Sequence, residues 1–114
     1  MEDNNASSYQ VNQDNKEYII TTQLMNNLLR LECEDKNIPE SPIYSYAFSL
    51  KNFKDMDDYF HPFNSIDQIQ EELNTCIENQ TAAIFNNMDN TLNITFYLKS
   101  ELGSTTINLK LLKI

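Results

Sequence analysis

The stretch SIDQIQEELNTCIE, residues 65–78, decides the fold that the sequence predicts. Ser65 is a favourable residue before the first turn of a helix, and Gln68, three positions later, completes a capping-box pattern. Apolar side chains then recur at intervals of three and four residues, which is typical of one face of an amphipathic helix. That face consists of Ile66, Ile69, Leu73, Cys76 and Ile77. We therefore predict a helix from about residue 66 to residue 79 whose apolar stripe faces a core.

Before this helix the sequence has the period of two that is typical of β-strands. Residues 17–24 are rich in β-branched side chains, and apolar residues alternate with charged ones from Leu29 to Cys33. Asn26 and Asn27 predict a turn between the two strands. A proline-containing loop over 35–42 leads to a third alternating strand over 44–50.

A shorter helix is predicted between the third strand and the long helix. Phe53, Met56 and Phe60 are spaced by three and four residues, and Ser49 is a suitable N-cap for them. Pro62 ends this helix, because the residue before a proline avoids the helical conformation.

After the long helix, alternation returns in three more segments. Strands are predicted around 82–84, over 92–99 and over 107–111, with turns at 86–90 and 100–104. The predicted order is βββααβββ, an α+β fold with a mainly antiparallel sheet or small β-sandwich and a two-helix insert. Residues 1–15 show no apolar periodicity and are predicted to be a disordered polar tail, leaving 16–114 as a single globular domain.

The charge balance restricts the partners of the domain. Seventeen acidic residues stand against eight lysines and arginines, for a net charge of −9. Nucleic acids and anionic membranes bind basic surfaces, so neither is an expected partner. The polar and acidic first five residues do not resemble a secretory signal, which favours a cytoplasmic protein, with a cytoskeletal association as one possibility. Cys33 and Cys76 occupy apolar-phase positions and are predicted to be buried free thiols.

The residue types that catalysis needs are scarce. His61 is the single histidine, and the single glycine excludes the glycine-rich loops that bind phosphates. Asp55, Asp57 and Asp58 lack the glycine and glutamate of a calcium loop. We therefore predict no catalytic residue, no metal site, no cofactor and no small-molecule substrate.

Two apolar residues stand out because they lie in predicted turns. Met88 is at the centre of the turn over 86–90, and Leu102 lies in the turn over 100–104. An apolar side chain at a hairpin tip has no obvious core to join, and it can fill a pocket on another protein. Leu112 and Ile114 are out of phase with the core positions of the last strand, so a following segment or a second subunit could cover them.

Several segments resemble the globular head shared by the centriolar cartwheel assembly protein and the end-joining scaffold proteins. They are residues 28–35, residues 44–50 with the following Lys51, Asn52 and Phe53, the two-helix region, and residues 109–112. The resemblance implies a β-sandwich head with a helical insert, followed by a coiled coil. It also implies pairing of heads through an apolar hairpin tip near the end of the domain, at the position of Leu102, where this chain has a smaller side chain than an aromatic one.

The leading hypothesis is a non-catalytic interaction or self-assembly module of a cytoskeletal or scaffold protein, with Leu102 and Met88 as protein-binding residues. The alternative is a ubiquitin-like or other small adaptor domain that binds partner peptides at a sheet edge. A carrier with an internal pocket lined by aromatic residues is a third hypothesis.

Overall fold

The computed structural model describes residues 6–100 and 103–114, and these form strands and a helical insert. The first strands are β1 (Ala6–Gln13), β2 (Lys16–Met25), β3 (Leu28–Asp35) and β4 (Ile43–Ser49). The insert contains α1 (Leu50–Met56), a single 3-10 turn (Asp58–Phe60) and α2 (Ile66–Glu78). The last strands are β5 (Ala82–Asn86), β6 (Thr91–Ser100) and β7 (Gly103–Lys113).

The strands form one antiparallel sheet in the order β1-β2-β3-β4-β7-β6-β5. Consecutive strands pair along most of their length within β1–β4 and within β5–β7. In contrast, β4 and β7 pair only at Tyr44 with Lys113 and at Ser45 with Leu112. The sheet therefore has two halves, β1–β4 and β5–β7, that meet at a short seam. The predicted α+β class with a mainly antiparallel sheet is confirmed, but the predicted element order is wrong.

The error in the order comes from the N-terminus. Residues 6–13, predicted to lie in a polar tail, form β1 and pair with β2 from Ala6–Gln23 to Gln13–Lys16. The connection is a two-residue turn in which Asp14 and Asn15 have φ angles of 52° and 64°, the left-handed conformation that Asp and Asn tolerate well. Because β1 lies at a sheet edge, only Tyr9 and Val11 pack against the core, and the strand remains mostly polar. Residues 1–5 of the predicted tail lie outside the described residues.

The inner face of the sheet and the stripe of α2 enclose one core. Side chains from β2, β3, β6 and β7 alternate inward with a period of two, and all five stripe residues of α2 are buried. Among the largest fully buried side chains are Ile20, Leu29, Leu31, Ile69, Leu73, Leu92, Ile94, Phe96, Leu98 and Leu109. The helix lies against β1, β2, β3 and β6, so it bridges both halves of the sheet.

The start of α2 is close to the prediction. Ser65 caps the helix by accepting a hydrogen bond from the Gln68 backbone N–H at 3.4 Å. The Gln68 side chain reaches one residue further than a capping box requires, and its Oε1 accepts from the backbone N–H of Asn64 at 2.7 Å. Gln70, outside the predicted apolar stripe, is buried as well, and its Nε2 donates to Thr22 Oγ1 on β2 at 3.2 Å.

The shorter helical part is held by aromatic packing. Ser49 caps α1 as predicted, with a reciprocal capping box to Asn52. The helix ends at Met56, and Phe60 lies in the 3-10 turn rather than in the helix. Its ring is fully buried, with ring-centroid distances of 5.3 Å to Phe53 and 5.6 Å to Phe63.

Candidate protein-interaction surface

The acidic side chain of Asp57 has a structural role. Asp57 accepts hydrogen bonds from the Tyr59 backbone N–H and from Thr105 Oγ1, both at 2.8 Å. Both hydrogen bonds lower the pKa of the Asp57 carboxyl, and the bond from the Tyr59 backbone has the larger effect. The carboxylate thereby ties the helical insert to β7. Within residues 6–100 and 103–114, no group of three or more His, Cys, Asp or Glu side chains is placed to hold a metal ion.

The cysteines are free and buried, as predicted. Burial, and then the nearby Asp35 carboxylate, raise the pKa of the Cys33 thiol to about 12. Burial also raises the pKa of Cys76. Since the thiolate is the reactive form, these thiols contribute to packing rather than to chemistry.

The turn between β5 and β6 is held by asparagine side chains. Asn87 donates from Nδ2 to Thr91 Oγ1 at 2.9 Å and to Asn93 Oδ1 at 2.7 Å. Asn86 Oδ1 accepts from the backbone N–H of Met88 at 2.9 Å, which is the side-chain bond of an Asx turn. This bonding gives the hairpin tip a defined shape without using the Met88 side chain.

Met88 is the most exposed large apolar residue of the described chain, at 82%. Its φ angle is 65°. A side chain other than Gly, Asn or Asp in this region costs roughly 1–2 kcal/mol. A residue such as asparagine would therefore make the fold more stable at this position. The exposed Met88 side chain is available to contact another molecule.

We expect Met88→Asn to raise the free energy of unfolding by about 0.5–1 kcal/mol, because asparagine tolerates the left-handed conformation better and no buried contact is lost. Urea unfolding monitored by circular dichroism measures this change. Met56→Asn is the matched control, because Met56 is at the end of α1 and is 41% exposed, and it should not be stabilising. A loss of stability in Met88→Asn would show that the methionine side chain packs within its own molecule.

A buried carboxylate fixes the position of the tip. Asn86 donates from Nδ2 to Asp35 Oδ2 at 2.9 Å, and Asp35 Oδ1 accepts from the Asn37 backbone and side chain at 2.9 and 2.8 Å. Asp35 is only 3% exposed. One carboxylate therefore connects the β5–β6 turn to the loop between β3 and β4.

Other apolar residues are exposed at the same end of the molecule. The backbone N–H of Lys113 donates to Asn90 O at 2.9 Å, which places the end of β7 beside the hairpin. Ile38 and Ile114 line a shallow cavity of about 390 Å³ there and are 37% and 74% exposed. We call Met88, Ile38 and Ile114 the tip surface.

The structure describes one of the two residues that were predicted to bind protein. Met88 is at an exposed tip, whereas Leu102 lies outside the described residues. The whole of β6 separates the Met88 turn from the start of β7, a distance of about 30 Å at the usual rise of a strand. The sequence did not predict that the rings of Phe85 and Tyr97 are exposed beside a groove between β1 and β5, because β1 itself was not predicted.

Comparison with known proteins gives a likeness of fold. No protein-family model matches the sequence, and no curated protein matches it. Among solved structures, the head domain of human CCDC61 is similar, with a TM-score of 0.74 over 96% of each chain and 11% sequence identity. At that identity the likeness concerns the fold alone, which is that of a head domain. None of the helices in the described ranges has the length and apolar character needed to cross a membrane.

Proposed function

We propose that this chain is a non-catalytic protein-interaction or self-assembly module of a scaffold protein. The observation that carries the proposal is Met88, an exposed apolar side chain on a hydrogen-bonded hairpin turn, in a backbone conformation that disfavours stability. A tip of this kind resembles the small buried anchors around which protein interfaces are organised. Its partner is either a second copy of the chain or another protein.

The fold and charge support the same proposal. The chain is similar over its length to a head domain, that of human CCDC61. The sequence also resembles the heads of centriolar and end-joining scaffold proteins. We therefore propose a cytoskeletal or scaffold role in the cytoplasm, as a head joined to a coiled coil. The net charge of −9 favours a partner with a basic surface around its apolar pocket.

Sedimentation equilibrium at high protein concentration tests self-assembly through a tip. We expect weak association of the wild-type domain, and we expect Met88→Glu to lower the association constant by about 10- to 100-fold, the effect of losing one buried apolar anchor. Met56→Glu, at a comparably sized side chain outside the tip surface, should leave it unchanged.

Leu102→Glu in the same experiment tests the other predicted anchor. A loss of association in Leu102→Glu alone would assign the contact to the second hairpin and contradict the role of Met88. Wild-type protein that stays monomeric at every concentration would contradict self-assembly and leave a partner protein as the proposal.

A further inference from the structure

The two edge strands of the sheet, β1 and β5, run in the same direction. Every neighbouring pair in the seven-strand order is antiparallel, so direction alternates and the first and last strands agree. An antiparallel barrel closes only with an even number of strands. This sheet therefore cannot close by antiparallel pairing of its own edges, whereas one added strand of opposite direction would pair antiparallel with both.

A single side chain bridges the two edges. Gln13 on β1 donates from Nε2 to the backbone oxygen of Ile84 on β5, and its Oε1 accepts from the backbone N–H of Ile84, both at 2.8 Å. These are the two bonds that a residue of an adjacent antiparallel strand makes. Because the amide is three bonds from its own backbone, β1 stays further from β5 than the ~4.8 Å of directly paired strands.

The free edge of β5 faces the resulting gap. Thr81 O accepts from the Tyr97 backbone N–H at 2.9 Å, so odd-numbered residues of this segment pair with β6. Ile84 points its backbone groups the other way, toward Gln13. Alternation along the ladder places the backbone groups of Ala82 and Asn86 in the same phase as those of Ile84. The edge thus offers a row of donors and acceptors of the kind that templates an added strand.

The gap forms a groove of about 770 Å³ between β1, β5 and the end of α2. Its charged lining residues among the described part of the chain are Asp14 and Glu78, and no lysine or arginine lines it there. Phe85 and Tyr97 line it as rings that are 51% and 49% exposed. The groove therefore complements a segment that combines basic and aliphatic side chains.

We propose that this groove binds an extended basic segment of a partner protein as an eighth strand, antiparallel to both β1 and β5. The backbone of the segment replaces the Gln13 amide on Ile84 and continues the pairing to Ala82 and Asn86. Basic side chains of the segment lie near Asp14 and Glu78. The site shares no residue with the tip surface. It therefore goes beyond the proposed function, and its test is independent of the test of that function.

Amide hydrogen exchange followed by NMR tests the proposal with a capped nine-residue peptide of alternating lysine and valine. At saturating peptide, exchange of the Ala82 and Asn86 amides should slow by about tenfold or more, because both become hydrogen-bonded. The Ala83 and Phe85 amides are already paired with β6 and should change little. A glutamate–valine peptide of the same length should not bind. Absence of binding at millimolar lysine–valine peptide, equal binding of the acidic peptide, or slowed exchange outside β1 and β5 would overturn the proposal.

Two substitutions test the displacement of Gln13. Gln13→Ala should tighten peptide binding by about 5- to 25-fold, since the two neutral hydrogen bonds to Ile84 no longer have to be broken and each is worth roughly a factor of two to five. Ala82→Pro removes a donor at an edge position where proline is tolerated, and it should weaken binding about tenfold or more. Gln23→Ala, on β2 and outside the lining of the groove, is the control and should change affinity less than about twofold.

Each result for the variants decides the mechanism. Weaker or unchanged binding in Gln13→Ala would contradict displacement of the amide, and unchanged binding in a folded Ala82→Pro would contradict strand addition. If Ala82→Pro does not fold, as judged by circular dichroism, the exchange pattern of the wild-type protein decides.

Discussion

Phe60→Ala should lower the free energy of unfolding by about 3–5 kcal/mol, the usual effect of truncating a buried phenylalanine. The Phe60 ring is fully buried and lies at the centre of a chain of aromatic contacts. Ring-centroid distances are 5.3 Å to Phe53, 5.4 Å to Tyr59 and 5.6 Å to Phe63. Alanine would remove these contacts and leave a cavity below the helical insert.

Thermal and urea unfolding measure this effect. A loss of this size corresponds to a decrease in Tm of roughly 12–20 °C for a domain of this length, and it is a large share of the 5–15 kcal/mol that is typical of whole domains. Phe60→Leu keeps most of the buried volume and should lose about 1–1.5 kcal/mol. Met56→Ala, at a half-exposed neighbour, should lose less than about 1 kcal/mol. Equal losses in Phe60→Ala and Met56→Ala would mean that the aromatic chain does not hold the insert.

Asp35→Ala should lower the free energy of unfolding by about 2–3 kcal/mol, because a carboxylate that accepts three hydrogen bonds is lost from a buried position. The half-buried Asn86 side-chain donor would lose its short bond to Asp35 and keep only the long one to Tyr44 Oη at 3.5 Å, while Asn37 can turn to water. The loop between β3 and β4 and the β5–β6 turn would then lose their connection. We expect amide exchange to accelerate more at the tip surface than in the core.

Urea unfolding and amide exchange together test this prediction. In Asp35→Ala the amides of residues 87–90, and those of residues 36–42 other than Pro39 and Pro42, should exchange faster at urea concentrations that leave the core intact. Glu71→Ala, which removes an exposed carboxylate on α2, should change stability by less than about 0.5 kcal/mol. Unchanged exchange at the tip in Asp35→Ala would contradict the role of this carboxylate.

Elements with a buried face could be predicted from the sequence. Leu29, Leu31 and Cys33 alternate with charged residues because one face of β3 is in the core, and α2 shows its stripe for the same reason. β1 was missed because an edge strand has little apolar surface to bury. The Asp14–Asn15 turn was the available signal, since both residues adopt the left-handed conformation of a tight hairpin.

The candidate sites also differ in whether a local sequence pattern could predict them. Met88 could be identified because a hairpin tip is local and an apolar residue there is visible in the sequence. The bonds of Asp35 to Asn86 and of Gln13 to Ile84 join residues 51 and 71 positions apart. Contacts at such separations depend on how the sheet curls and brings distant strands together, which no local pattern encodes.

The short seam between β4 and β7 has a consequence for how the chain reaches its native state. Each half of the sheet is a meander of sequential hairpins, so its pairing closes only short loops, and the β4–β7 pairs are the long-range exception. Loop closure over a longer distance has a larger entropic cost and slows folding. We therefore expect the two meanders to form first during refolding, with their docking around α2 as the rate-limiting event. During synthesis the N-terminal meander would be complete before the other half leaves the ribosome.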